Sequence, residues 1–203
     1  MEYYYFDTDS LVKLLFDEKG CIDVRDIYNN PDNTIICSAF SILEVSSALG
    51  QIKSAGHIFA GIYRNSIEYF NKIITGSNED KATVRVESNV DIGQIESAKN
   101  LINTSWQNDH SIKPGDSLQL AVALKYIDLD LTIVTGDKQI IKVAENISEY
   151  TDEGPFKGII NSSKCSCSCG GIFELQGNSY ICNTCGSTCE ICDIEGKWCE
   201  KIR

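Results

Sequence analysis

At 203 residues the chain is long enough to bury a substantial core, and its length suits one or two domains. Its formal net charge of -11 excludes a cation-coated surface that grips nucleic acid without selectivity, so contact with a polyanion must run through local basic groups or bound cations. No run of about 18 apolar residues occurs, which excludes a membrane-spanning helix.

The N-terminal Met1-Glu2-Tyr3-Tyr4-Tyr5-Phe6 lacks the basic-then-apolar pattern of a secretory signal, so the expected location is the cytoplasm. Residues 3–6 read as a buried strand and 11–16 as the helix after it. Residues 34–37 read as a second strand, followed by a helix over about 41–52. Phe59, Ile62, Tyr63, Ile67, Phe70, Ile73 and Ile74 recur at helical spacing and predict a long amphipathic helix. A polar loop over 76–81 precedes a short strand at 83–86. Asp91 caps a helix that reaches about residue 103. Pro114-Gly115 then introduces Leu118, Leu120, Ala121, Val122 and Leu124, apolar nearly all round and so a buried helix. Residues 131–135 form another strand, 138–145 a helix and 158–160 a last strand. Strands alternating with helices predict an α/β sandwich with a mainly parallel sheet over residues 1–161.

Composition changes at Asn161-Ser162-Ser163-Lys164, and residues 162–203 read as a second, cysteine-rich unit without helical periodicity. Eight of the ten cysteines lie there, whereas Cys21 and Cys37 stand alone and read as small buried hydrophobes.

In open α/β sheets ligands bind beyond the carboxyl ends of the strands. Asp7 directly follows the first strand, Asp137 follows Thr132-Ile133-Val134-Thr135-Gly136, Glu44 lies in the first turn of the helix after the second strand, and Asp116 opens the buried helix. Each has a structural explanation: Asp7 and Asp137 as helix caps, Glu44 as the end of a Ser41-Ile42-Leu43-Glu44 capping box, Asp116 as a charge at a positive helix end. Capping does not require the four to meet. If they do meet, repulsion and burial disfavour the assembly unless a divalent cation with a taste for hard oxygen ligands, Mg²⁺ or Mn²⁺, lies among them.

Tyr5-Phe6-Asp7-Thr8-Asp9-Ser10-Leu11-Val12-Lys13-Leu14 resembles the opening of PIN-domain ribonucleases, in particular the VapC-like toxins. Leu43-Glu44-Val45-Ser46-Ser47-Ala48-Leu49, Gly115-Asp116-Ser117-Leu118-Gln119-Leu120-Ala121 and Ile133-Val134-Thr135-Gly136-Asp137-Lys138 resemble the second, third and fourth motifs of that family, in order. The resemblance implies that Asp7, Glu44, Asp116 and Asp137 bind Mg²⁺ or Mn²⁺ and position water for attack on an RNA phosphodiester, with a 5′-phosphate and a 3′-hydroxyl as products. In this reading Glu44 is a ligand or a water-orienting base, and Ser10 and Thr135 bond the carboxylates or a phosphate. For partners it implies RNA, an antitoxin or a ribosomal partner, and a homodimer. Two departures stand out: Asp9 replaces a small hydroxyl residue, offering a fifth carboxylate, and Gln119 replaces a common His. Residues 55–108 match no motif and are the expected seat of substrate selection.

Other chemistries fit poorly. His57 and His110, the only histidines, lie in no nucleophile–base setting and read as surface residues. No Walker-type loop or dinucleotide glycine fingerprint occurs. The competing classes are a catalytically silent binding module, opposed by the four carboxylates, and a DNA nuclease, opposed by small size and the lack of a helical clamp.

The tail carries Cys165, Cys167, Cys169, Cys182, Cys185, Cys189, Cys192 and Cys199. Cys182 and Cys185 have the two-residue gap of thiolate zinc ligands, and either Cys165 or Cys167 partners Cys169 in a zinc ribbon. Cys189, Cys192, Cys199 and the remaining cysteine complete a second site if two ions bind. Zinc here is structural, since a unit this small needs ligand binding to fold. Phe173, Tyr180 and Trp198 are candidates for stacking on bases or packing round the metal, and Lys164, Lys197, Lys201 and Arg203 form a thin basic patch.

Overall fold

The computed structural model describes residues 1–16, 20–76, 80–107, 111–151 and 154–162, and the backbone of 173–176 and 179–182. Five parallel strands, β1 (Glu2–Phe6), β2 (Asn33–Ser38), β3 (Thr83–Glu87), β4 (Thr132–Thr135) and β5 (Gly158–Asn161), form one sheet in the order β3-β2-β1-β4-β5. β1 is the centre. The chain builds outward from it on one side through β2 and β3, then crosses to the other side for β4 and β5. That reversal opens a crevice between the carboxyl ends of β1 and β4.

Each strand serves two cores because successive side chains face opposite ways. Phe6, Ile35, Cys37 and Val134 enter the core beneath α1 (Thr8–Leu15), α2 (Cys21–Asn29), α3 (Ala39–Ser54) and α4 (Ala60–Ile74). Tyr5, Ile36 and Ile133 enter the core beneath α5 (Ile92–Gln107), α6 (Pro114–Leu124), α7 (Lys138–Glu145) and α8 (Ile147–Tyr150). The result is the expected α/β sandwich. β2 is buried along its whole length, which explains its unbroken apolar reading in a sheet covered on both faces. α6 is buried from Leu120 to Leu124, and Pro114 starts it where a missing N–H costs nothing.

Three local features differ from the expectations. α2 is an additional helix, burying Cys21, Val24, Ile27 and Tyr28 on one stripe. α3 begins at Ala39, with the Ser38 hydroxyl accepting the Phe40 N–H at 3.0 Å. Glu44 therefore lies in the second turn, and the capping box at Ser41 does not form because Ser38 already caps the helix. A capping box does form at the start of α5 (Ile92–Gln107), where Asp91 Oδ1 accepts from Gly93 N (2.8 Å) and Gln94 Oε1 accepts from Asp91 N (3.0 Å).

Backbone strands β6 (Phe173–Gln176) and β7 (Ser179–Cys182) form a separate antiparallel pair. No helix of the described residues is long and apolar enough to cross a membrane. Leu49 is fully buried between α3 and the sheet core. Leu49→Ala should cost about 2–5 kcal/mol in urea unfolding, through lost burial and a residual cavity; a cost below about 0.5 kcal/mol would show that this face is not a packed core.

Candidate active site at the carboxyl edge of the sheet

Asp7 follows β1 and caps α1, its Oδ1 accepting the Ser10 N–H at 2.8 Å. Its Oδ2 accepts the hydroxyl of Thr135, at the end of the neighbouring strand β4. The carboxyl is only 4 % exposed. Burial, and next the nearby Asp9 carboxylate, push it up to about 7, while the bonds from Thr135 and Ser10 pull in the other direction. The Ser10 hydroxyl goes to the Val134 carbonyl at 2.8 Å.

Asp137 follows β4 in the same way. Its Oδ1 caps α7, accepting from Gln139 N at 2.6 Å and Ile140 N at 3.3 Å, and its own N–H donates to Thr135 Oγ1 at 3.0 Å. Thr135 thereby ties both strand-end aspartates together. Asp116 enters from the first turn of α6. Burial, then Asp137, raise its carboxyl to about 6, with Lys113 opposing and Glu44 adding to the rise. Its Oδ2 is buried without a hydrogen-bond partner.

Glu44 comes from the second turn of α3. Its Oε2 accepts the Thr8 hydroxyl and, at 2.9 Å, the Gln119 amide nitrogen. Its Oε1 lies so near α6 that a Cβ on Gly115 would sit 3.1 Å from it, so the glycine lets the helix and the carboxylate approach.

Asp7, Glu44, Asp116 and Asp137 all line one cleft of about 370 Å³, with Thr8, Asp9 and Gln119 beside them. The convergence that capping alone did not require is present, and two of the four also cap helices. Asp9, the fifth carboxylate, pairs with the buried Lys13 ammonium one turn along α1. Ser162, buried at the end of β5, donates to Asp9 at 3.3 Å and accepts from Lys13 at 3.2 Å. A Cβ on Gly136 would lie 2.3 Å from Asp9 Oδ2 and 2.9 Å from Lys13 Nζ, so any other residue there would require this pair to shift.

Four like charges in one cleft repel, and among the described residues no three of them close into a cage of ligand geometry. The donor set nonetheless fits a small, hard divalent cation. All the oxygens are carboxylate, the Asp116 Oδ2 is an unmatched acceptor, and Asp7 and Asp116 hold their protons unusually tightly.

Sequence reasoning did not assign roles to Thr8, Tyr5, Lys13 or Ser162 and gave Ser41 only a capping role, although Gln119 at three residues from Asp116 and Lys13 at four from Asp9 lie on shared helix faces and were findable by spacing. Cys21 and Cys37 are buried thiols, and burial pushes Cys37 up to about 12, as expected of small hydrophobes. His57 is exposed; His110 lies outside the described residues. Cys165, Cys167, Cys169, Cys185, Cys189, Cys192 and Cys199 also lie outside them, and only the backbone of Cys182, in β7, is described.

A comparison with curated proteins finds no match. The PIN domain profile matches residues 4–146, a span that holds all four converging carboxylates. The chain therefore belongs to the PIN-domain family, whose members are in general metal-dependent nucleases.

Proposed function

We propose that the chain is an endoribonuclease that hydrolyses RNA phosphodiester bonds at the acidic cleft with Mg²⁺ or Mn²⁺. The observation that carries this reading is the meeting of Asp7, Glu44, Asp116 and Asp137 in one cleft with an unmatched buried oxygen on Asp116. Asp7, Asp116 and Asp137 would hold the cation, and Glu44 would be a further ligand or orient the attacking water. When bound, the ion would supply a water of lowered pKa and offset charge on the phosphoryl oxygens. Thr135 and the Ser10 N–H each donate to one oxygen of the Asp7 carboxylate and so orient its ionised form. RNA is preferred to DNA because the four motifs resemble toxin-type ribonucleases.

In the same proposal the cysteine-rich tail holds structural zinc and helps place the substrate. The full chain purified without chelator should contain one or two zinc ions by elemental analysis. A zinc-free preparation with unchanged circular dichroism and melting would remove this part of the reading.

Cleavage is tested with matched RNA and DNA panels in Mn²⁺. RNA should be cut and DNA spared, and Asp7→Asn should lower the rate at least 100-fold while remaining folded. Full activity of that variant at low metal would defeat the proposal, and preferential DNA cleavage would move it to the competing class.

The metal-free protein should also show a distinctive pH dependence. Folded Asp7 binds its proton up to about pH 7 and an ordinary carboxyl only to about 3.8, so folding is favoured by this group at low pH. That contribution is lost as pH rises through about 7, because the folded state must then bury a charge. In EDTA, the stability of the unaltered chain relative to Asp7→Asn should fall from pH 4 to 7; a constant difference would show that Asp7 titrates normally.

A further inference from the structure

The side-chain amide of Gln119 is engaged at both ends. It is 3 % exposed and sits one turn after Asp116 on α6. Its Oε1 accepts from the Tyr5 hydroxyl and, at 3.0 Å, from the Ser41 hydroxyl. Its Nε2 donates to Glu44 Oε2 at 2.9 Å and to Thr8 Oγ1 at 3.2 Å.

The direction of this chain follows from donor and acceptor counts. A backbone N–H from Ser38 meets the Tyr5 hydroxyl oxygen, which leaves the phenolic proton for Gln119. An ionised carboxylate has no proton to give, so the amide must turn its nitrogen to Glu44. A reversed amide would set an oxygen against the carboxylate and a nitrogen against the Tyr5 proton. Glu44 Oε2 is thus held by two donors, Gln119 and Thr8. Oε1, beside Gly115, is the oxygen left to meet a cation.

We propose that Gln119 is a positioning residue for the divalent cation, fixing Glu44 so that Oε1 is presented to the ion and anchoring it through Tyr5 and Ser41 to the sheet and α3. The inference rests on the metal reading given above. It adds that the ligand geometry on this side of the cleft is set by a neutral amide whose own orientation is set in the core. A Gln there serves better than an apolar residue of equal size only if its two ends are both needed. Tyr5 does not line the cleft, and its hydroxyl reaches it through the hydrogen bond to Gln119.

The test is Mn²⁺ binding by the full chain, followed by the electron paramagnetic resonance signal of free Mn²⁺. Asp7→Asn identifies the part of the binding that belongs to the acidic cleft. Gln119→Met, near in volume but with no donor and only a weak acceptor, should weaken that part about 10–100-fold. Tyr5→Phe should weaken it by a smaller factor, and the double variant should lose little more than Gln119→Met alone, as expected for residues acting in series. Melting in EDTA is recorded for each, because a purely structural role would lower the midpoint and leave Mn²⁺ affinity unchanged.

If the unaltered chain shows no Mn²⁺ binding that Asp7→Asn removes, the metal reading fails and this inference falls with it. If that binding is present and both Gln119→Met and Tyr5→Phe retain it undiminished, this inference alone fails. Should Gln119→Met not fold, Tyr5→Phe decides: a weakened affinity supports the relay and an unchanged one overturns it.

Discussion

A carboxyl group that is both buried and crowded by other carboxyls is the constraint round which the rest of this protein is arranged. Asp7 is nearly inaccessible, and its nearest charged influence is another acid, Asp9. Taking such a group out of water disfavours its charged form by an amount that hydrogen bonds only partly offset. The fold accepts this at one place, the crevice where strand order reverses. Thr135 and Ser10 donate to Asp7 there, and four further carboxylates line the same cleft.

The same geometry explains why site residues and capping residues coincide. A parallel strand that ends beneath a helix must release the chain into a tight turn, and an Asp at that point stabilises the helix by accepting its first N–H groups. Asp7 and Asp137 do this for α1 and α7. A cap uses one carboxylate oxygen well and leaves the group at the strand's end, on the edge where ligands bind. Capping and metal binding are therefore compatible demands on one residue. The local explanation for each aspartate holds, and it does not compete with the collective one.

Much of this was legible along the chain because it is local. Short runs of three to five residues marked the strands, and Pro114 marked the start of α6. Strand-end placement singled out Asp7 and Asp137. α2 was harder: Cys21, Val24, Ile27 and Tyr28 keep helical spacing, but Asp23, Arg25 and Asp26 interrupt them and the segment opens at a left-handed Gly20 instead of a side-chain cap. Glu44 was placed one turn too early because Ser41 and Ser38 are both good caps, and only packing against the sheet decides between them. The bonds from Gln119 to Tyr5, Ser41 and Glu44 join residues 75 to 114 positions apart. No periodicity or spacing encodes such contacts. The residue types were visible, but their partners depend on which helices lie side by side.

Asp9 shows why counting acids in a motif is not the same as counting charge in a site. A fifth carboxylate in the cleft would deepen the repulsion on Asp7, and burial would magnify it. Lys13 enters from the same helix, with its ammonium almost wholly buried and paired to Asp9. A buried ammonium is itself unfavourable unless paired and hydrogen-bonded, so each of the two makes the other tolerable. Ser162 completes the arrangement by bonding to both, and Gly136 leaves the space they occupy. The acid at position 9 is thus paired within the chain, though it still pushes Asp7 upward, whereas Asp116 keeps a buried oxygen with no internal partner. Two carboxylates of one cleft thus have opposite surroundings, a lysine beside one and a buried oxygen without a partner on the other. Under the proposed metal chemistry, that difference would divide scaffold charge from charge available to a cation.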